Sequence, residues 1–188
     1  MSDDNELWAH ENAPLPAVDQ RFAWYGDRIL MLTIPAVFLL DQISKQVIKS
    51  SLPYGESWPS DGVFRFTHVT NSGAAFGFFT DATPLLALAS IIAIAFLIYF
   101  YRTHTAPRPI MRLAIGLQMG GALGNLVDRL HAGTVVDFID VAWWPVFNLA
   151  DSSIVVGMFI LVGILLFSEQ PSPSPASQDA EEPAEGGT

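Results

Sequence analysis

Four apolar runs, each close to the length of a bilayer-spanning helix, limit what this chain can fold into. They are Arg28 to about Lys49, Pro84 to Tyr101, Ile110 to about Val127 and Ala150 to Phe167. A hydrocarbon core takes roughly 20 residues of helix to cross. The chain is 51% hydrophobic and only 15% charged, with a mean hydropathy of +0.35, too apolar for an ordinary soluble domain. The expected fold class is an all-α membrane protein with four transmembrane helices.

The formal net charge of -10 would repel nucleic acid, but eleven of the 19 acids lie towards the chain ends. Asp3, Asp4, Glu6, Glu11, Asp19 and Asp27 precede the first run, and Glu169, Asp179, Glu181, Glu182 and Glu185 follow the last. The acidity belongs to tails and not to a binding face. Residues 1–27 read as a disordered acidic extension. Residues 168–188, rich in Pro, Ser, Ala and Glu, read as a second disordered tail, unable to bury enough apolar surface to order itself. No cysteine occurs, which removes disulfides, thiolate nucleophiles, Cys-type metal sites and lipid anchoring through cysteine. The first run has neither a basic region before it nor a small-residue cleavage site after it, so it reads as a retained anchor.

Arg102, Arg108 and Arg112 cluster around the second connection, while the first and third carry more acid than base. The positive-inside rule makes the second connection and both termini cytoplasmic. Helical rise then places Asp41 about 20 Å beyond Arg28 and Asp128 about 24 Å beyond Arg112, both in the outer part of the bilayer. Asp151 opens the fourth helix from the same side, and Asp137 lies in the loop between. In the first connection Val63, Arg65, Thr67 and Val69 alternate with Phe64, Phe66 and His68, the period of a strand. The turn Asn71-Ser72-Gly73 follows, then the apolar stretch 74–79. A small β-sheet and loop segment is therefore expected on the extracytoplasmic face, with Trp143 and Trp144 in the interfacial aromatic belt.

The stretch Gly120 to Asp151 holds four acids and two asparagines. Carboxylates at bilayer depth are costly and tend to be there for a function. Two carboxyls sharing a proton around one water can cut a peptide bond, the ionised one taking the water's proton and the protonated one donating towards the carbonyl. Asp137 and Asp151 can meet, since 13 residues separate them. Each acid also has a plainer reading. Asp151 can cap the fourth helix, Asp128 can pair with Arg129 at the interface, and Asp140 reads as a solvated loop charge. Asp41 and Lys45, four apart on a helix, read as a buried positioning pair. Gly116, Gly120 and Gly124 form a ridge for close helix approach, expected also to shape a groove for substrate. Asn125, Asp128 and Arg129 continue that helix at its wet end, in one cluster. The four histidines lack the spacing of a zinc site, and no metal or cofactor is expected.

The ordered blocks Asp41-Gln-Ile-Ser-Lys45, Asn71-Ser-Gly-Ala-Ala-Phe-Gly77, Gly120 to Arg129 with Gly133-Thr-Val-Val-Asp137-Phe, and Phe147-Asn-Leu-Ala-Asp151-Ser make residues 28–167 resemble the lipoprotein signal peptidase, or signal peptidase II, family. The resemblance implies a bacterial inner-membrane aspartic endopeptidase acting on diacylglyceryl-modified prolipoproteins just before the lipidated cysteine. It implies Asp137 and Asp151 as the catalytic pair, and it is the resemblance that selects Asp137 over Asp128. Asp41, Lys45, Asn71, Gly120, Gly124, Asn125, Asp128, Arg129 and Asn148 are the implied supporting or substrate-binding residues. A small ion or proton conductor and a non-catalytic scaffold for lipidated proteins remain as other readings of intramembrane acids.

Overall fold

A computed structural model of the chain describes residues 27–73, 82–103 and 108–167. The two tails, the stretch 74–79 and part of the second connection lie outside the described residues. Four helices are long and apolar enough to cross a membrane: α1 (Arg28–Ser51), α2 (Thr83–Thr103), α3 (Pro109–Ala132) and α4 (Leu149–Phe167). Three strands, β1 (Ser57–Trp58), β2 (Phe64–Asn71) and β3 (Val135–Val141), form one antiparallel sheet in the order β1-β2-β3.

α3 is the central helix. Buried residues make up 56% of its most apolar stretch, against 17%, 11% and 17% for α1, α2 and α4. It starts with Pro109, whose missing N–H costs nothing at that position, and ends where Gly133 adopts φ 70° and returns its N–H to the Arg129 carbonyl. The glycine ridge along it is filled by α1. A methyl group on Gly116 would meet Thr33, one on Gly120 would sit 2.7 Å from Val37 Cβ, and one on Gly124 would strike the Asp41 carboxylate. These three glycines are therefore a packing seam covered by α1, while Ala122 of the same helix lies along a cleft on another face. α4 closes on another face of α3 through Gly121 and Gly157, whose added methyls would meet the Ala150 and Ala114 carbonyls.

Asp27 is the N-cap of α1 and not a tail acid. It is 3% exposed, accepts from the Ile29 and Leu30 N–H groups and the Tyr101 hydroxyl of α2 (2.7 Å), and forms an ion pair with the Arg112 guanidinium of α3 (3.3 Å). Three helix ends are thus tied together beside a cluster of Leu30, Leu97, Tyr101, Met111, Ile115 and Met119.

The sheet sits at the other end of the bundle. β2 coincides with the expected alternation, and one extra residue bulges between Phe66 and Val69, because Phe66 pairs with Ile139 and Val69 with Asp137. Asp137 lies on β3 and not in a loop. The run Val-Val-Asp-Phe-Ile suits a strand covered on both faces, and Val135, Val136, Asp137 and Phe138 are all buried.

Candidate active site

The site begins with the way α4 starts. Asn148, the residue before the helix, accepts the Asp151 N–H on its side-chain oxygen at 2.9 Å, and Asp151 accepts the Asn148 N–H at 3.2 Å. This reciprocal cap satisfies two of the N–H groups that every helix N-terminus leaves free. It also fixes the direction of the Asp151 carboxylate, whose other oxygen accepts from Asn125 Nδ2 at 2.7 Å.

β3 delivers the second carboxyl. Phe147 folds back on the strand, exchanging backbone hydrogen bonds with Ile139 at 2.7 and 3.1 Å, and this return sets Asn148 beside Asp137. Asn148 Nδ2 donates to Asp137 Oδ1 at 2.7 Å, and Asn71 Nδ2, from the end of β2, donates to Oδ2 at 3.1 Å. Asp137 and Asp151 are therefore both held by Asn148, one through its side chain and the other through its backbone. Burial pushes the Asp137 carboxyl up to about 6, and the neighbouring charge of Asp151 pushes the same way, against the donors Asn71 and Asn148.

A buried charge network lies beneath. Lys45 Nζ is 2.7 Å from Asp41 Oδ2, 2.7 Å from Asp128 Oδ2 and 2.9 Å from Asn125 Oδ1. The Asp128 contact is an ion pair whose angles fall outside hydrogen-bond geometry. Asp41, fully buried, accepts the Ala150 N–H on its other oxygen at 3.0 Å and so anchors the first turn of α4. Arg129 reaches its own Asn125 carbonyl at 3.5 Å and acts electrostatically on Asp151, Asp137 and Asp128. The structure thus brings Asp41, Lys45, Asn71, Asn125, Asp128, Arg129, Asp137, Asn148 and Asp151 into one cluster, with Gly124 packed on Asp41 and Gly120 one turn further away.

Two plain readings of the acids are corrected. Asp140 is 6% exposed, pairs with Arg65 at 2.7 Å and accepts from Thr67 at 2.8 Å, because β2 lays both partners across it. Asp128 pairs with Lys45 of α1, not with its neighbour Arg129. Sequence reasoning missed Gln42, which donates to Asp128 Oδ1 at 3.1 Å. It also missed Thr83, which bonds the Ser72 and Gly133 carbonyls at 3.0 and 2.6 Å. Gln42 is polar inside an apolar span, a usable signal; Thr83 carries none.

The family model described as signal peptidase (SPase) II matches residues 33–167. The chain belongs to the signal peptidase II family. It is 42% identical to the lipoprotein signal peptidase of Moorella thermoacetica over 148 residues, covering 78% of this chain and 94% of that one. It is 40% identical to the lipoprotein signal peptidase of Shewanella oneidensis over 165 residues, covering 84% and 94%. A solved bacterial membrane enzyme superposes with a TM-score of 0.70 at 31% identity, covering 77% of this chain and 93% of that one. This member of the family is a multi-pass membrane protein of four helices and a small sheet, the fold expected from its sequence.

Two clefts open from Asp151. One, of about 300 Å³, runs between α2 and α4 over α3, from Asp151, Asn125 and Arg129 past Ser90 to Gln118 and Leu97. The other, of about 360 Å³, lies on the outer side of α4 among Trp144, Phe147, Ser152, Val155 and Val156. Among the described residues, no three His, Cys, Asp or Glu side chains form a group able to hold a metal ion.

Proposed function

We propose that this protein removes signal peptides from diacylglyceryl-modified prolipoproteins as an aspartic endopeptidase, cutting just before the lipidated cysteine, with Asp137 and Asp151 activating one water. The observation that carries this reading is the pair of carboxylates brought from β3 and α4 to one asparagine, Asn148, in unlike surroundings. Burial favours a proton on Asp137. Asp151 stands in the first turn of α4, where the helix dipole favours negative charge. In the proposed step Asp151 takes a proton from the water as its oxygen attacks the scissile carbonyl, and Asp137 gives its proton to the carbonyl oxygen. Collapse of the tetrahedral intermediate breaks the C–N bond: the leaving cysteine nitrogen takes up the proton held by Asp151, and one hydroxyl of the intermediate returns its proton to Asp137 as the product carboxyl forms. Arg129 and the Asn125 amide, both beside Asp151, supply positive electrostatic potential to its carboxylate.

The signal helix of the substrate occupies the α2/α4 cleft, which leads from the carboxylates into the bilayer. Arg102, Arg108 and Arg112 belong to the end remote from the sheet. This supports cytoplasmic termini and a site near the extracytoplasmic face of the bacterial inner membrane. No nucleic acid, metal or cofactor enters the reaction as proposed. Purified protein is expected to cleave a diacylglyceryl-modified prolipoprotein peptide but not its unlipidated twin. Asp137→Asn and Asp151→Asn should each remain folded and lose cleavage. Full activity in either variant would sink the pair.

A further inference from the structure

We infer that the outer cleft on α4, among Trp144, Phe147, Val155 and Val156, receives the acyl chains of the substrate's diacylglyceryl group, while the α2/α4 cleft receives only peptide. This rests on the proposed peptidase reading and adds a lipid-recognition site to it.

The two clefts share Asp151 and differ in chemistry. A peptide must unwind near the bond to be cut, which frees N–H and C=O groups at bilayer depth, and those groups need partners there. The α2/α4 cleft offers them: Arg129 and Gln118 line it and make only long contacts within α3, at 3.5 Å to the Asn125 carbonyl and 3.4 Å to the Ala114 carbonyl, whereas its Ser90 hydroxyl and Asn125 amide already donate to the Leu86 carbonyl and to Asp151. It is also long, since Leu86 to Leu97 spans about 16 Å of helix.

Beyond Asp151 and the indole N–H of Trp144 at its mouth, the outer cleft is lined by apolar side chains and Ser152. Its one hydroxyl, on Ser152, already donates to the Asn148 carbonyl at 3.0 Å. Val155 and Val156 are 44% and 50% exposed on the surface that faces lipid, and Trp144 is 55% exposed beside them. Acyl chains require no hydrogen bonds, and they can leave such a cleft directly into the bilayer. Because side chains of this kind are no more apolar than lipid tails, the cleft contributes little raw affinity. Its contribution is position: chains lying against α4 hold the glyceryl-cysteine on the far side of Asp151 from the signal helix, so that the bond between them crosses the carboxylates. The scissile bond separates the two parts of the substrate, and Asp151 separates the two clefts.

The test uses the intact protein in detergent or bilayer and a prolipoprotein peptide whose cysteine carries a dipalmitoylglyceryl thioether with a diazirine near the glycerol. Photolysis should label Trp144, Val155 or Val156. Labelling of Ala89, Ala93 or Gln118 instead, or diffuse labelling of all lipid-facing helices, would overturn the inference. A second arm fills the cleft with Val155→Trp. The variant should lose roughly tenfold in kcat/KM on the dipalmitoyl peptide, chiefly through kcat, and keep wild-type activity on a dibutyryl peptide. Equal loss on both peptides, or none on either, would overturn it. Wild-type protein that cleaves neither peptide would remove the peptidase reading itself, an outcome distinct from cleavage with labels elsewhere.

Discussion

Lys45 is the most heavily engaged charge in the protein, with Asp41, Asp128 and Asn125 all within 2.9 Å of its nitrogen. Removing one member of a buried ion network leaves uncompensated charge, so Lys45→Met should cost about 3–5 kcal/mol of stability. Denaturation in a mild detergent checks this, and a variant as stable as the parent would mean that the two carboxylates do not depend on Lys45. Asp137 gives a prediction that depends on pH. Its carboxyl is raised from 3.8 to about 6, so the folded protein binds that proton more tightly than the unfolded chain. Stability from this group therefore falls as pH rises between those values, and the penalty, of order 3 kcal/mol, is complete above the folded value. Asp137→Asn removes the penalty. The melting temperature of the variant relative to wild type should climb between about pH 4 and about pH 8. The new amide meets the amides of Asn71 and Asn148, which adds an offset that does not vary with pH. A difference that is flat across that range would contradict the burial of a titrating Asp137.

At the scale of elements, the glycines of α3 and α4 separate packing from catalysis. A methyl on Gly121 would press on the Ala150 carbonyl and Ser153, one residue from Asp151, whereas one on Gly163 meets nothing within 4 Å. Gly121→Ala should therefore lower kcat by about tenfold or more through misplacement of Asp151, and Gly163→Ala should leave turnover unchanged. Equal effects of the two in a cleavage assay would refute the coupling. The helices were legible in the sequence because bilayer length is a coarse and strong signal, although α3 runs to Ala132, beyond the apolar run, through the polar residues Asp128, Arg129 and His131. β2 was legible from its alternation. β3 was not, since a strand buried on both faces shows no alternation and Asp137 interrupts its apolar run. β1, two residues long, leaves no periodic trace.

For the whole molecule, all the proposed site residues and the family match lie within residues 27–167. A protein trimmed of residues 1–26 and 168–188 should cleave lipidated peptide within about twofold of the full chain. A larger loss would assign the acidic extensions a part in the reaction. The position of the cluster could be read from helical rise, but its internal wiring could not. Asp128 and Asp137 stand near the same depth, and spacing treats them alike; the difference is a residue some eighty positions away, Lys45, which pairs with Asp128 and leaves Asp137 with hydrogen bonds from neutral amides. Long-range pairing of that kind leaves no mark on local pattern. The manner in which α2 is held has a mechanical consequence. It is fastened at one end by Thr83 to the Ser72 and Gly133 carbonyls and at the other by Tyr101 to Asp27, while α1 and α4 are seated on α3 along glycine seams. A beam pinned at both ends is softest at mid-span. The middle of α2, around Ala89 and Ala93 on the wall of the α2/α4 cleft, lies farthest from either fastening, so a substrate that prised the cleft open would bend α2 there before it moved the carboxylates.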